Sequence, residues 1–148
     1  MKYEFSARAH TLQSSPLLSI RTQMRRGSLI SLAEELPAEE LFPLSLLAEA
    51  ASSVITSNAE ALQYGDPAGY GPLREWLTGD WFRTKGVTVN EGGVLLTTGS
   101  QQAVDLLSRV YLDSGDRVLV EHPTSPGCLQ ALRMQGALII PVRGDKEG

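Results

Sequence analysis

Chemistry that depends on sulfur or imidazole has little to draw on in this chain. One cysteine, Cys128, stands among 148 residues, so no internal disulfide can form and a reducing compartment is expected. Cys128 falls in a helical pattern, where a lone cysteine reads as a small core residue. The two histidines, His10 and His122, are far apart in sequence. With a single cysteine they do not make a zinc set, and a Ser-His-Asp triad has few candidates. No apolar run approaches the roughly 18 residues that a membrane span needs. The polar start MKYEFSARAH lacks the apolar region of a signal peptide, so no membrane partner and a cytoplasmic location are expected. Positive charge is also scarce. Thirteen Lys and Arg against 17 Asp and Glu leave a net charge of -4, which argues against direct electrostatic binding of nucleic acid. Arg21, Arg25 and Arg26 read as a solvated face. Nucleotide signatures are missing too: GVTVNEGG (86–93) lacks the spacing and the Lys-Ser/Thr of a P-loop, and no G-x-G-x-x-G follows a strand.

What remains is a globular composition, 42% hydrophobic and 20% charged, over one domain's length of chain. Residues 1 to about 30 read as an N-terminal arm, followed by a loop pinned by Pro37 and Pro43. Glu34, Glu35, Glu39 and Glu40 are spaced as at a solvated helix start, where acids complement the dipole, rather than as a cation site. In LSLLAEAASSVITS (44–57), Leu44, Leu47, Ala51, Val54 and Ile55 recur at helical spacing, which predicts an amphipathic helix. LQYGDPAGYGPLREWL (62–77) packs Gly65, Pro67, Gly69, Gly71 and Pro72 into eight residues, a loop of special backbone angles. Pro72 then suits the first turn of a helix running through Trp76 toward Phe82.

From residue 93 the pattern becomes regular. Strand GVLLTT (93–98), helix 101–112, turn SGD (114–116), strand RVLVE (117–121), loop HPTSPG (122–127), helix 128–136 and strand ALIIPV (137–142) follow one another. Ala103, Val104, Leu107 and Tyr111 are predicted to share the inner face of the first of these helices. Short apolar strands alternating with helices predict an α/β fold with a parallel sheet. Ligands of such sheets bind beyond the carboxyl ends of the strands, where Gly99 to Gln101 and Glu121 to Ser125 fall. Gly99 would let the backbone approach an anion at a helix N-terminus, with Ser100 adding a hydroxyl. The same residues fit an ordinary strand-to-helix turn with Ser100 as N-cap. His122 reads as a polar rim residue or as a base.

LISLAEELPAEELFP, LQYGDPAGYGPLREWL and VLLTTGSQQAVDLLSRVYLDSGDRVLVEHPTSPG, in this order and spacing, resemble the N-terminal third of fold-type I pyridoxal-phosphate aminotransferases. The likeness is to the branch of the 2-aminoadipate and kynurenine aminotransferases, with the aminotransferase-like domain of MocR-type regulators nearby. It implies an N-terminal arm and substrate-side loop over 1–43. It also implies that 44–148 is the first part of the large domain that binds pyridoxal 5'-phosphate, with a partial parallel sheet and a C-terminal truncation. By that resemblance Gly99, Ser100 and Gln101 match the cup for the cofactor's phosphate. Tyr64 matches a tyrosine that reaches the partner subunit's phosphate in a homodimer, and Ser125 a position beside the cofactor ring. Ser15, Glu34 and Glu35 match substrate-side positions.

Three departures accompany it. Glu34-Glu35 stands where the family usually has Gly-Gly, and two carboxylates there would repel an amino acid's own carboxylate or turn the loop outward. Ser125 replaces an aromatic ring that stacks on the cofactor, a loss of about 1 kcal/mol beyond area. Lys2, Lys85 and Lys146 all lie outside the family's lysine motif, and its other catalytic residues fall beyond the length matched here, so residues 1–148 alone are not expected to transaminate. The resemblance thus implies an enzyme that moves an amino group between an amino acid and a 2-oxo acid, present as an N-terminal segment. Its alternatives are a non-catalytic sensor module of a MocR-like regulator or a truncated packing module. Without the resemblance, an unrelated α/β domain with an anion site remains.

Overall fold

The computed structural model describes residues 3–10 and 36–145. In chain order these form α1 (Ala7–His10), α2 (Leu44–Ser57), α3 (Gly71–Trp76), α4 (Phe82–Thr84), α5 (Ser100–Tyr111), β1 (Arg117–His122), α6 (Pro126–Met134) and β2 (Leu138–Arg143). They belong to two compact units, one of Glu35–Leu96 and one of Met1–Glu34 with Thr97–Gly148. No helix among the described residues is long and apolar enough to cross a membrane.

In the unit of residues 35–96, α2 forms over the segment whose apolar spacing predicts it. It ends as Asn58 N–H donates to Val54 O at 2.9 Å, while the Thr56 and Ser57 hydroxyls bond back to the carbonyls of Ser52 and Ser53. None of its residues is buried, and Leu44, Leu47, Val54 and Ile55 stay exposed. The glycine-rich loop then delivers Pro72 into the first turn of α3. The helix expected to run on toward Phe82 does so through a π-helical stretch, Leu77–Trp81, before α4 closes it. Thr78 Oγ1 donates to the Arg74 carbonyl at 3.0 Å inside this stretch, and Gly79 adds little helix propensity. Side-chain back-bonding of that kind loosens and bends helices.

The expected strand at 93–98 is not a strand. Glu91–Gly93 is a 3-10 turn, and the chain is extended from Val94 without a ladder partner among the described residues. Its polar groups are used otherwise: the Arg74 guanidinium takes the Val94 carbonyl, and Leu96 N–H donates to Ala68 O. Extended apolar sequence sets backbone shape, whereas a strand also needs a neighbour to pair with.

In the other unit the sheet is parallel, as predicted, with two strands. β1 and β2 pair from Arg117 with Leu138 to His122 with Arg143. The crossover between them is α6, which packs on β2 and on α5. Val118, Val120 and Ile139 are half-buried, while Leu119, Leu138, Ile140 and Val142 on the opposite face are exposed. The core is small. Ala131 and Leu132 of α6 are buried with Ala137, and Ser108 of α5 is buried with its hydroxyl donating to Val104 O at 2.6 Å. The inner face predicted for α5 is therefore only half right. Ala103 and Val104 are half-buried, but Leu107 and Tyr111 are exposed, because the face packed on α6 is the one that carries Ser108.

Leu132, 6% exposed, and Leu119, 71% exposed, give opposite expectations for one substitution. Leu132→Ala should lower stability by about 2 kcal/mol or more through the cavity it leaves. Leu119→Ala should change it by less than about 0.5 kcal/mol. Urea unfolding followed by circular dichroism measures both, and equal losses would mean that α6 does not anchor this core.

Candidate functional site

α5 is capped by a glycine whose backbone takes a shape that side chains disfavour. Gly99 is the N-cap at φ 84° and ψ 171°, a region open essentially to glycine alone. Ser100 is therefore not the cap but the first helical residue. Gly99 has no side chain with which to cap, and the first helical bond is Ala103 N–H to Gly99 O, at 3.4 Å. Among the described residues no acceptor takes the N–H groups of Ser100, Gln101 or Gln102. A Cβ at Gly99 would meet nothing within 4 Å, so the backbone is open to a ligand on that side.

The turn leading into the helix is held from within. Thr97 Oγ1 donates to Gly99 O at 3.2 Å, and Thr98 N–H donates to the Gln102 side chain. Neither Thr97 nor Gln102 was singled out from the sequence. The only available signal was their place flanking the glycine. Asp105, one turn into α5, pairs with Arg109 at 2.9 Å, so its charge is compensated on the surface. Positive potential at the start of α5 then comes from the helix itself, through aligned peptide dipoles and free N–H groups.

Ser125 joins this place. It is the N-cap of α6, followed by Pro126 at the first turn. A Cβ added at Gly127 would stand 3.4 Å from Gln101 Oε1 and 3.8 Å from Ser125 Oγ, so the starts of α5 and α6 lie side by side. α6 follows the carboxyl end of β1, which closes with His122 and the cis His122–Pro123 bond. A groove of about 330 Å³ continues between the two helices, lined by Gln101, Gln102, Asp105, Gln130, Ala131 and Met134.

Tyr64 belongs to the other unit and is fully exposed there, at 101%. Its loop is tightly built nonetheless. Asp66 accepts Ala68 N–H at 2.7 Å through its carboxylate and Gly69 N–H at 2.9 Å through its carbonyl. Gly69, at φ 107°, lies so close to Leu96 that a Cβ would fall 2.6 Å from the Leu96 Cβ. Arg74, which reads in sequence as one more surface cation in PLREWL, is 7% exposed beneath this loop. Ser15, Glu34 and Glu35 lie outside the described residues.

Residues 29–148 match the family Aminotransferase class I and II. The chain is 41% identical to the 2-aminoadipate transaminase of a Thermus thermophilus strain, over 97% of this chain and 35% of that protein. It shares a fold, with a TM-score of 0.78 at 41% identity, with the crystal structure of LysN, the alpha-aminoadipate aminotransferase of Thermus thermophilus complexed with N-(5'-phosphopyridoxyl)-L-leucine. That likeness covers 97% of this chain and 34% of that one. It is also 32% identical, over 81% of its length and 24% of the relative's, to the uncharacterized HTH-type transcriptional regulator YdfD of Bacillus subtilis. The chain thus spans about a third, or less, of the length of these curated relatives.

The backbone at Gly99 supplies its own test. Gly99→Ala forces a side chain into a region that costs about 1–3 kcal/mol, and the start of α5 should shift to relieve it. Inorganic phosphate binding, followed by calorimetry, should weaken at least tenfold. Unchanged affinity would show that the anion site does not depend on this turn.

Proposed function

The chain belongs to the class I and II aminotransferases, and from that premise we propose that it supplies the phosphate-holding part of a pyridoxal 5'-phosphate enzyme. The reaction is transfer of an amino group between an amino acid and a 2-oxo acid. The observation that carries this reading is the glycine-started N-terminus of α5, whose free N–H groups and open side fit a phosphate dianion.

In this proposal the N–H groups of Ser100 and Gln101 and the Ser100 hydroxyl bind the phosphate, and Gly99 lets it come close. Once bound, the cofactor supplies an electron sink for the carbon that carries the amino group. Ser125 borders the ring without stacking on it, so the phosphate provides most of this chain's hold on the cofactor. Tyr64, free at its loop tip, donates its hydroxyl to the phosphate held by a second subunit of a homodimer. Ser15, Glu34 and Glu35 are assigned to the substrate side, where the two carboxylates would repel an amino acid's own carboxylate or turn the loop outward. Residues 1–43 form the arm and substrate-side loop, and 44–148 the first part of the large domain. The likeness to a helix-turn-helix regulator supports a second reading, in which the same phosphate cup serves a sensor that binds the cofactor without turnover.

Both readings require that affinity resides in the phosphate. Pyridoxal 5'-phosphate should bind the chain at least tenfold more tightly than pyridoxal, and inorganic phosphate should compete with it. Fluorescence or absorbance titration measures this. Equal affinity for the two aldehydes would remove the cup from either account. Amino-group transfer measured on a polypeptide of the relatives' full length, carrying these residues, separates enzyme from sensor.

A further inference from the structure

Among the described residues Arg74 is the one buried charged side chain, and it has a defined task. Arg74 sits on α3 with its side chain 9% exposed. Its Nε donates to the Val94 carbonyl at 3.0 Å and its Nη2 to the Glu91 carbonyl at 2.7 Å. Nη1 stands 3.9 Å from the Asp66 carboxylate and 3.8 Å from that of Glu91. One planar fork therefore holds two stretches of chain to α3: segment 91–94 through its carbonyls, and the loop at Asp66 through charge. Only a guanidinium presents donors in several directions from one rigid plane.

The two stretches also touch each other. Leu96 N–H donates to Ala68 O at 2.9 Å, and the Leu96 side chain packs on the backbone of Gly69. The loop that Arg74 closes is the one that begins with Tyr64, two residues before Asp66. Tyr64 itself is fully exposed and packs on nothing among the described residues, so its position is inherited from the loop. We propose that Arg74 is a positioning residue for the cofactor site: by locking loop 66–69 against segment 91–96 it fixes where the Tyr64 hydroxyl is presented. This rests on the reading of Tyr64 as a phosphate donor.

The test uses a polypeptide of the relatives' full length that carries these residues and sediments as a dimer, with four variants: Tyr64→Phe, Arg74→Met, Arg74→Lys, and Tyr64→Phe combined with Arg74→Met. Each is titrated with pyridoxal 5'-phosphate and with pyridoxal, and amide hydrogen exchange is followed at Gly69 and Leu96. Tyr64→Phe and Arg74→Met should each weaken the phosphorylated aldehyde roughly tenfold, the scale of one charge-assisted hydrogen bond. Neither should move pyridoxal by more than about twofold, and the double variant should lie within about twofold of Tyr64→Phe alone, because a lost donor needs no positioning. Exchange at Leu96 should quicken in Arg74→Met and stay slow in Tyr64→Phe. Arg74→Lys keeps the charge but cannot span both carbonyls, so it should fall between wild type and Arg74→Met and covers the case in which Arg74→Met fails to fold. Additive losses, or unchanged affinity in both Arg74 variants with Tyr64→Phe still weak, would overturn the positioning role alone. Unchanged affinity in Tyr64→Phe would overturn the Tyr64 assignment first, and with it anything left for Arg74 to position.

Discussion

Main-chain N–H groups at the start of α5 find no acceptor among the described residues. A helix leaves its first donors without partners, and the usual remedy is a serine, threonine, aspartate or asparagine in the cap position. Here the cap is Gly99, in a backbone region that no such residue occupies comfortably, and the nearby Gln102 side chain turns to Thr98 instead. The donors are thereby kept free. An anion at this place gains a dipole and several N–H groups at once, and the carboxylate of Asp105, one turn into the helix, is already paired with Arg109.

Within its own unit, that turn is supported by the elements around it. β1, α6 and β2 bring the start of α6, with Ser125, beside Gln101, and α6 contributes most of the buried core. In the other unit the glycine-rich loop, α3 and segment 91–96 close around a single guanidinium. The apolar face of the sheet at Leu119, Leu138, Ile140 and Val142 is exposed. Parallel sheets are normally covered on both faces, so this unit does not have the burial typical of its class.

Helices were the most legible part of the sequence because their period is local. The stripe of Leu44, Leu47, Val54 and Ile55 marked α2 to its ends, and Pro72 and Gly99 marked the starts of α3 and α5. Pairing was less legible. Residues 93–98 carry the composition of a strand, but whether they join a ladder depends on a neighbour and not on their own side chains. The inner face of α5 failed for a related reason: Leu107 and Tyr111 are apolar, yet contact with α6 selected the side bearing Ser108. At the site, the glycine and its following polar residues were visible as an anion-binding pattern, while Arg74 was not. Its burial depends on carbonyls 17 and 20 residues away, which no local pattern records.

The central claim is that the free N–H groups of α5 bind a phosphate. Amide proton and nitrogen shifts, recorded while inorganic phosphate and then pyridoxal 5'-phosphate are added, test it directly. The account predicts saturable shifts led by Ser100, Gln101 and Gln102, with smaller ones at Ser125 and Gly127, the same residues responding to both ligands. Shifts that leave residues 99–102 unmoved, or that gather on another surface of the chain, would contradict it.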